Sequence, residues 1–448
     1  LYWTYLLFTS LMAISFDAIG YENLGTKIFK EGWIEYFRTG PNREPLYPFI
    51  ISVSMRISDF LPVPYTKIQT VFQIFILLTT QMLSLNLLQK LNISEKISAF
   101  IILFIGFSPA LVNSAFSLFS EIITYPIVLS ILLCLSTAWK MVQNNSAIKC
   151  GAIGMLLGLS FIFAVSAKAI FLYILPVCLL PFFVLGVQSI LKKRTKIFVN
   201  APIVILAASL STHAFVAFIK DMNLKHNGFY QFTDRGAYFL YGCTELKTKE
   251  KLRPKTFLIA LTMVPGEGVC RAFFKPNECE YFYHGPATIA GVGKYAQLKG
   301  QGIPINELDG ALVKLSAHQI LKRPFQYTTL YLLESLKLFF WESTNIGFVL
   351  YPNILINLFS FRPFSDGIRL LVSVTSLLAF FYVVGYVIKR KLALLLVNQE
   401  NSESVRLGFF MILIGIGYIS LYSLFVIIPR YGFPLAPIFI LCTAMLFQ

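Results

Sequence analysis

Long apolar runs, separated by short polar segments, dominate the chain from one end to the other. Windows of about 19 residues, the length that identifies transmembrane helices, select runs near residues 1–16, 68–89, 97–119, 121–139, 151–167, 169–190, 198–219, 366–388, 407–428 and 431–448. A helix needs about 20 apolar residues to cross ~30 Å of hydrocarbon. The pattern predicts an all-α polytopic membrane protein with about ten transmembrane helices. Because Leu1 lies inside an apolar run and is not Met, we expect the first span to be clipped.

Two further apolar stretches are predicted to be helices that do not cross the bilayer. Residues 45–61 begin with two prolines and carry Arg56 and Asp59, so this run is too short and too charged to span. We expect an interfacial or re-entrant helix there. Residues 324–340 carry Glu334 and a lysine three positions later, which favours a helix on the surface over a span.

Composition agrees with a membrane protein and removes one alternative. Hydrophobic residues make up 56% of the 448 residues and charged residues 13%, whereas soluble proteins carry about 25% charged residues. A net charge of +16 is also typical of proteins that bind nucleic acid. However, Lys and Arg lie mostly in short clusters between apolar runs, as membrane topology requires, so we expect no nucleic-acid partner.

The basic clusters also predict the orientation. They all fall on one side of the ten-span arrangement, which the positive-inside rule makes cytoplasmic; they are Lys90 with Lys96, Lys140 with Lys149, Lys192 with Lys193, Arg194 and Lys196, and Lys389, Arg390 and Lys391 with Arg406. Two large loops then lie outside. The predicted parts are an N-terminal bundle (1–219) containing the first outer loop (17–66), a mixed outer loop domain (220–365) and C-terminal helices (366–448).

Three of the seven cysteines share the long outer loop. Cys270 and Cys279, in CRAFFKPNEC, could close a small disulfide loop in an oxidising compartment, with Cys243 left over or replacing one of them. A zinc site is the competing interpretation, but His226, His284 and His318 show no zinc-ligand spacing. The remaining cysteines lie in or beside spans, where we expect them to pack.

Five ionisable residues at the predicted outer boundary are the candidates for function. They are Asp17, Arg43, Glu121, Lys168 and Arg430. A charge at this depth costs a few kcal/mol unless it has a partner or a function. Each could singly be a helix cap, an ion-pair member or a snorkelling anchor. Acids and bases gathered on one side of the membrane favour a single site.

Acids beside a basic cradle suit group transfer from a phosphorylated lipid. Arg and Lys neutralise phosphate as the leaving group gains negative charge, and a carboxylate takes a proton from the acceptor. Glycosyl and phosphoryl transfer both fit. The chain contains no G-x-x-x-x-G-K-[ST] phosphate loop and no G-x-S-x-G elbow, so we expect neither a nucleotide-hydrolysing motor nor a serine hydrolase of that kind.

Several short motifs resemble those of the type C (GT-C) integral-membrane glycosyltransferases. They are Asp17 followed four residues later by Tyr21, the segment REPLYPF, the dipeptide SE before a span, RYGFPLAP before the last span, and HQILKRPFQYTTLYLLESLKLFFWE. The pattern is most similar to bacterial relatives of protein O-mannosyltransferases and to the lipid A aminoarabinose transferase. The resemblance covers nearly the whole chain, through motifs that are individually short.

The resemblance implies a helical bundle with a periplasmic domain and a polyprenyl-phosphate sugar donor. It also implies catalytic roles for Asp17, as base or acceptor-orienting group, and for Glu121 at the second acidic position. Lys168 and Arg430 match the basic positions that face the lipid phosphate, and Arg43 falls in the segment that lines the donor cavity.

Tyr21 and Glu22, which follow Asp17, are candidates for substrate contact. So is Tyr47, which the resemblance places with Arg43 in the segment that lines the donor cavity. Many type C enzymes have two adjacent acids in the first outer loop, whereas Asp17 is followed by Ala18 and the next acid is Glu22. This departure weakens the case for a bound metal. A divalent metal is possible, but no cofactor is firmly expected.

The long outer loop is rich in aromatic residues, in GFYQFTDRGAYFLYGCTE and ECEYFYHGP. These rings could contact sugars or pack a small core. Asp234, Arg235 and His284 are the polar candidates for substrate contact there.

The leading hypothesis is an enzyme of class EC 2.4 in a bacterial inner membrane. It would move a sugar from a polyprenyl-phosphate donor to an envelope lipid, glycan or protein at the outer face. A lipid-linked oligosaccharide flippase or other transporter, or an O-antigen-type polymerase, is the alternative. The long outer loop favours the transferase over a transporter.

Overall fold

A computed structural model describes residues 1–448 except 145, 192, 234–236, 250, 251, 281, 283, 343–347, 398–402 and 426. The first half contains α1 (Tyr2–Thr9), β1 (Leu11–Met12), α2 (Asp17–Arg38), α3 (Leu46–Ser58), α4 (Tyr65–Lys90), α5 (Glu95–Phe107), α6 (Pro109–Phe116), α7 (Glu121–Asn144), α8 (Ala147–Ala167), α9 (Phe171–Leu191) and α10 (Thr195–Asn227). The predicted outer region contains α11 (Ala237–Thr248), α12 (Pro254–Thr262), α13 (Glu267–Phe273), α14 (Pro276–Glu280), α15 (His284–Gly300), α16 (Ile305–Lys322) and α17 (Pro324–Lys337). The chain continues through β2 (Val349–Leu350), α18 (Asn353–Ser360), α19 (Arg362–Val397), α20 (Glu403–Tyr422), a 3₁₀ helix (Pro429–Leu435) and α21 (Ala436–Phe447).

The fold is that of an all-α polytopic membrane protein. Among the described residues, eight helices are long and apolar enough to cross a bilayer, and the bent pair α5 and α6 would make nine. The sequence predicted ten. Lys192, one of the basic residues used for the orientation, lies outside the described residues.

The difference from ten lies at the start of the chain. The first apolar run forms only the eight-residue helix α1, about 12 Å long at 1.5 Å per residue, and then becomes extended. Leu11 and Met12 pair antiparallel with Leu350 and Val349. A hydropathy window measures apolar content and does not distinguish a helix from an extended apolar segment.

A bend of 46° separates α5 from α6. Pro109, the first residue of α6, has no N–H to donate and its ring disfavours a helical residue before it. Ser108 caps α6 by accepting a hydrogen bond from Leu111 N at 3.3 Å. The buried Glu342 carboxylate accepts from Ser108 Oγ and from Ala110 N, both at 2.8 Å. The break is therefore capped twice by side chains.

Small residues let two of the spanning helices pack closely. A Cβ atom at Gly154 of α8 would come within 2.8 Å of Ala207 Cβ, and one at Gly158 would overlap Ser211 Oγ of α10. Such spacing of small residues allows helix backbones in a membrane to approach each other. These glycines therefore let α8 pack closely against α10.

The two helices predicted not to cross are both present. α3 has 13 residues and α17 has 14, too few to span ~30 Å. In α17 the side chains of Glu334 and Lys337 are buried and paired at 2.7 Å, so the charged part of this helix faces protein. α10 continues to Asn227. The predicted domain boundary at residue 220 therefore falls inside this helix.

Among the described residues, the predicted outer region is held by small apolar clusters and one disulfide. Cys270 and Cys279 are bonded, with their Cα atoms 6.1 Å apart, which confirms this pairing. The disulfide packs with Met263 and Leu333. Cys243 is buried in a separate cluster and takes no part in the bond.

Candidate functional site

Asp17 stands at the start of α2, held between two arginines. Its Oδ1 atom accepts from Arg43 Nη2 at 2.8 Å, and its Oδ2 atom pairs with Arg430 Nη2. An acid in the first turn is also stabilised by the helix dipole. Residues 26 and 413 positions away in sequence thus meet at one carboxylate.

Tyr21, one turn into α2, supports this arrangement. The Arg43 guanidinium lies over its ring at 4.9 Å, a favourable cation–π position. Its hydroxyl shares a 2.9 Å hydrogen bond with Ser120 Oγ, directly before α7. Tyr21 therefore links the Asp17 segment to the start of the helix that begins with Glu121.

Glu121 and Lys168 form a second, more deeply buried pair. Lys168 Nζ lies 3.2 Å from Glu121 Oε1, and the two side chains are 9% and 4% exposed. Glu121 opens α7 and Lys168 follows the last residue of α8, so each charge has the sign that its helix end favours.

Two charged side chains of this region each have a buried polar atom without a hydrogen-bond partner among the described residues. Neither Glu121 Oε2 nor Arg430 Nε has a hydrogen-bond partner among the described residues. The Arg430 guanidinium lies over the Phe119 ring at 4.8 Å. Its positive charge also attracts the Glu121 carboxylate. A buried acceptor and a buried donor left open are rare in folded proteins and need an explanation.

The structure thus brings together all five boundary residues that the sequence selected. It adds Glu44, which is buried and accepts from Ala169 N at 3.0 Å, next to Lys168. Sequence reasoning missed Glu44, although it lies in the REPLYPF segment beside Arg43. The cluster contains three acids and three cations, namely Asp17, Glu44, Glu121, Arg43, Lys168 and Arg430.

Aromatic residues of α20 contact the segment that carries Arg430. Tyr418 donates a hydrogen bond to Tyr431 O at 2.9 Å, and the rings of Tyr418 and Tyr422 stack at 4.6 Å. These contacts fix the backbone beside Arg430, and no feature of the sequence pattern had singled them out.

The other substrate-contact candidates are placed differently. Tyr47 is 1% exposed and donates to Gln73 Oε1 at 2.6 Å, behind Tyr21, whose ring it meets edge-on. Glu22 accepts from Tyr65 Oη at the start of α4. Asp234 and Arg235 lie outside the described residues, and for His284 only its place at the start of α15 is described.

The cluster is defined by charge, and an apolar cavity lies elsewhere in the molecule. Among the described residues, no three His, Cys, Asp or Glu side chains are placed to hold a metal ion; Asp17 meets guanidinium groups instead. A cavity of about 460 Å³ lies between α1, α4 and α5, lined by apolar residues such as Leu7 and Leu78.

No protein-family model, curated protein or solved structure matches the chain. The resemblance to type C glycosyltransferases therefore rests on the motifs of the sequence itself.

Proposed function

We propose that the protein is an integral-membrane glycosyltransferase that uses a sugar carried on a polyprenyl phosphate. The observation that carries the proposal is the partly buried charged cluster around Asp17, in which Arg430 Nε and Glu121 Oε2 have no hydrogen-bond partner among the described residues. An open N–H suits a phosphate oxygen, and an open carboxylate oxygen suits an acceptor O–H or N–H.

The open atoms also suggest different roles for Asp17 and Glu121. Both oxygens of Asp17 contact guanidinium groups, so we assign Asp17 the task of holding Arg43 and Arg430 in place. Two guanidinium groups offer ten N–H donors, more than one carboxylate can accept. The remaining donors face the donor phosphate.

In the proposed reaction, Glu121 Oε2 takes the proton from the acceptor hydroxyl or amine. The acceptor atom forms a bond to the anomeric carbon of the sugar as the bond from that carbon to the phosphate oxygen breaks. The electron pair stays on the phosphate oxygen, where Arg430, Arg43 and Lys168 stabilise the negative charge. The products are the glycosylated acceptor and free polyprenyl phosphate.

The positive-inside arrangement of the short basic loops supports an outward-facing site. We propose that the protein lies in a bacterial inner membrane, with its acceptor in the cell envelope. α11 to α17 and the acidic starts of α2 and α7 would then share the outer side.

The test uses purified protein in detergent, radiolabelled sugar on polyprenyl phosphate and crude envelope acceptors. We expect transfer of label with release of polyprenyl phosphate, and a loss of at least about 100-fold in Asp17→Asn, because the two guanidinium groups lose their common anion. The control is Glu35→Gln, which breaks the exposed Glu35–Arg38 pair on the same helix. Near-normal turnover by Asp17→Asn would contradict the assignment, and tight donor binding without release would favour a transporter.

A further inference from the structure

A buried lysine of the outer region holds the turn that follows α20. Lys247 of α11 is 3% exposed, and its Nζ atom donates to the carbonyl oxygens of Ser423, Leu424 and Phe425 at 2.6, 3.2 and 2.9 Å. These residues come directly after Tyr422, the last residue of α20. An ammonium group has three N–H donors, one for each of these carbonyl oxygens.

A second outer helix holds the other side of the same turn. Glu334 Oε2 of α17 accepts from Ile427 N at 2.7 Å, while its Oε1 atom accepts from Lys337. Gln326 of α17 donates to Lys247 O at 2.8 Å. The two outer helices are therefore joined to each other and to the turn between α20 and the 3₁₀ helix.

This turn leads directly to the candidate site. Arg430 follows Ile427 by three residues, a distance of at most about 11 Å along an extended chain. The Lys247 contacts are made at a cost, because burial lowers its pKa to about 8, with the Glu334 carboxylate opposing the shift. A buried charge with three specific acceptors fixes geometry more than it adds stability.

We propose that Lys247 is a positioning residue that sets the place of Arg430, so that the outer region controls affinity for the donor phosphate. This inference rests on the proposed function, because it takes Arg430 to be the phosphate-binding cation. It makes the outer region part of the donor site, through a turn of the backbone and without direct contact with the phosphate.

The experiment measures binding of polyprenyl phosphate to the full-length protein in detergent by titration calorimetry, for four proteins: wild type, Lys247→Met, Arg430→Ala and the double variant. We expect Lys247→Met to weaken binding about tenfold, since a displaced guanidinium loses about one charged hydrogen bond. In the Arg430→Ala background the same change should have less than a twofold effect. Dependence of this kind on Arg430 separates positioning from general loss of structure.

Arg323→Met is the matched control. Arg323 Nη1 donates to Thr248 O and Lys249 O at the end of α11 but makes none of the contacts to residues 423–427 described above, so binding should stay within twofold of wild type. If Lys247→Met does not fold, Lys247→Arg replaces it, and we expect a smaller loss with the same dependence on Arg430.

The outcomes separate the two proposals. Equal weakening by Lys247→Met with and without Arg430, or no weakening at all, would overturn the positioning role while leaving the proposed function standing. Absence of polyprenyl-phosphate binding by wild type, with no effect of Arg430→Ala, would overturn both.

Discussion

Two buried glutamate–lysine pairs occupy different regions of the molecule. They differ in the hydrogen bonding of the second carboxylate oxygen of the glutamate. Glu121 pairs with Lys168 among the spanning helices, and Glu334 pairs with Lys337 in the predicted outer region. Glu334 uses both oxygens, because Oε2 accepts from Ile427 N. Glu121 uses Oε1 for Lys168, and its Oε2 atom has no hydrogen-bond partner in the part of the chain that the structure describes.

The difference separates a completed structural contact from a site that can still bind something. A buried charge is tolerated when it is paired and hydrogen-bonded, which describes Glu334. Leaving a carboxylate oxygen open costs stability, so its presence beside three cations favours a functional role for Glu121. Substitutions made in parallel in the two pairs test this interpretation.

The largest expected effect is on turnover. Glu121→Gln should reduce sugar transfer by about 10²–10⁴-fold, the usual contribution of a general base, in the radiolabel assay. Glu334→Gln breaks the matching pair but keeps an oxygen for Ile427 N–H, so turnover should stay within about tenfold of wild type. Similar turnover losses in the two variants would show that the open oxygen of Glu121 has no catalytic role.

A smaller effect is expected when the lysines are removed instead. Lys168→Met removes the ion-pair partner of Glu121, which we expect to cost about 3–5 kcal/mol of stability. Lys337→Met leaves Glu334 with its hydrogen bond from Ile427, so the loss should be smaller by about 1.5–3 kcal/mol. Thermal unfolding in detergent measures both. Equal losses would mean that the remaining hydrogen bond does not compensate the buried carboxylate.

The sequence predicted the membrane-spanning bundle well because long apolar runs have few alternatives in lipid, where every backbone polar group must be satisfied within the segment. It failed where that constraint weakens. Residues 1–16 are apolar enough to span, yet part of them pairs as a strand with β2. The bend at Pro109 depends on capping by Glu342, which is distant in sequence.

For the site, charge at the membrane boundary was a sufficient signal to select Asp17 and Arg430, although they are 413 residues apart. Partners could not be assigned, because pairing among five charges depends on helix packing. Glu44 was overlooked because an acid beside an arginine resembles an ordinary surface pair. Nor could hydropathy show that Tyr47 would be buried behind Tyr21.

A third buried carboxylate extends the comparison and gives the smallest expected effect. Glu342 has hydrogen bonds from Ser108 and Ala110, and the structure shows no ion pair for it among the described residues. Burial raises its pKa to about 7, with these two hydrogen bonds opposing the shift. Because the folded-state pKa lies above the ordinary value of 4.5, folding favours the protonated form. This contribution to stability is present below pH 4.5 and is lost as the pH rises to about 7.

The variant Glu342→Gln isolates this contribution, because Gln stays neutral. Its amide oxygen can accept from Ala110 N, and its NH2 group can donate to Ser108 Oγ. The midpoint of thermal unfolding in detergent is measured for wild type and variant at pH 5 and at pH 8. The unfolding midpoint of the variant, relative to that of wild type, should be a few degrees higher at pH 8 than at pH 5. The reason is that only wild type carries a buried charge at this position at pH 8. The subtraction cancels every other titrating group. A midpoint difference between variant and wild type that does not change with pH would contradict this prediction. It would mean that hydrogen bonds alone stabilise the Glu342 carboxylate as well as a hydrogen bond and a cation stabilise that of Glu334.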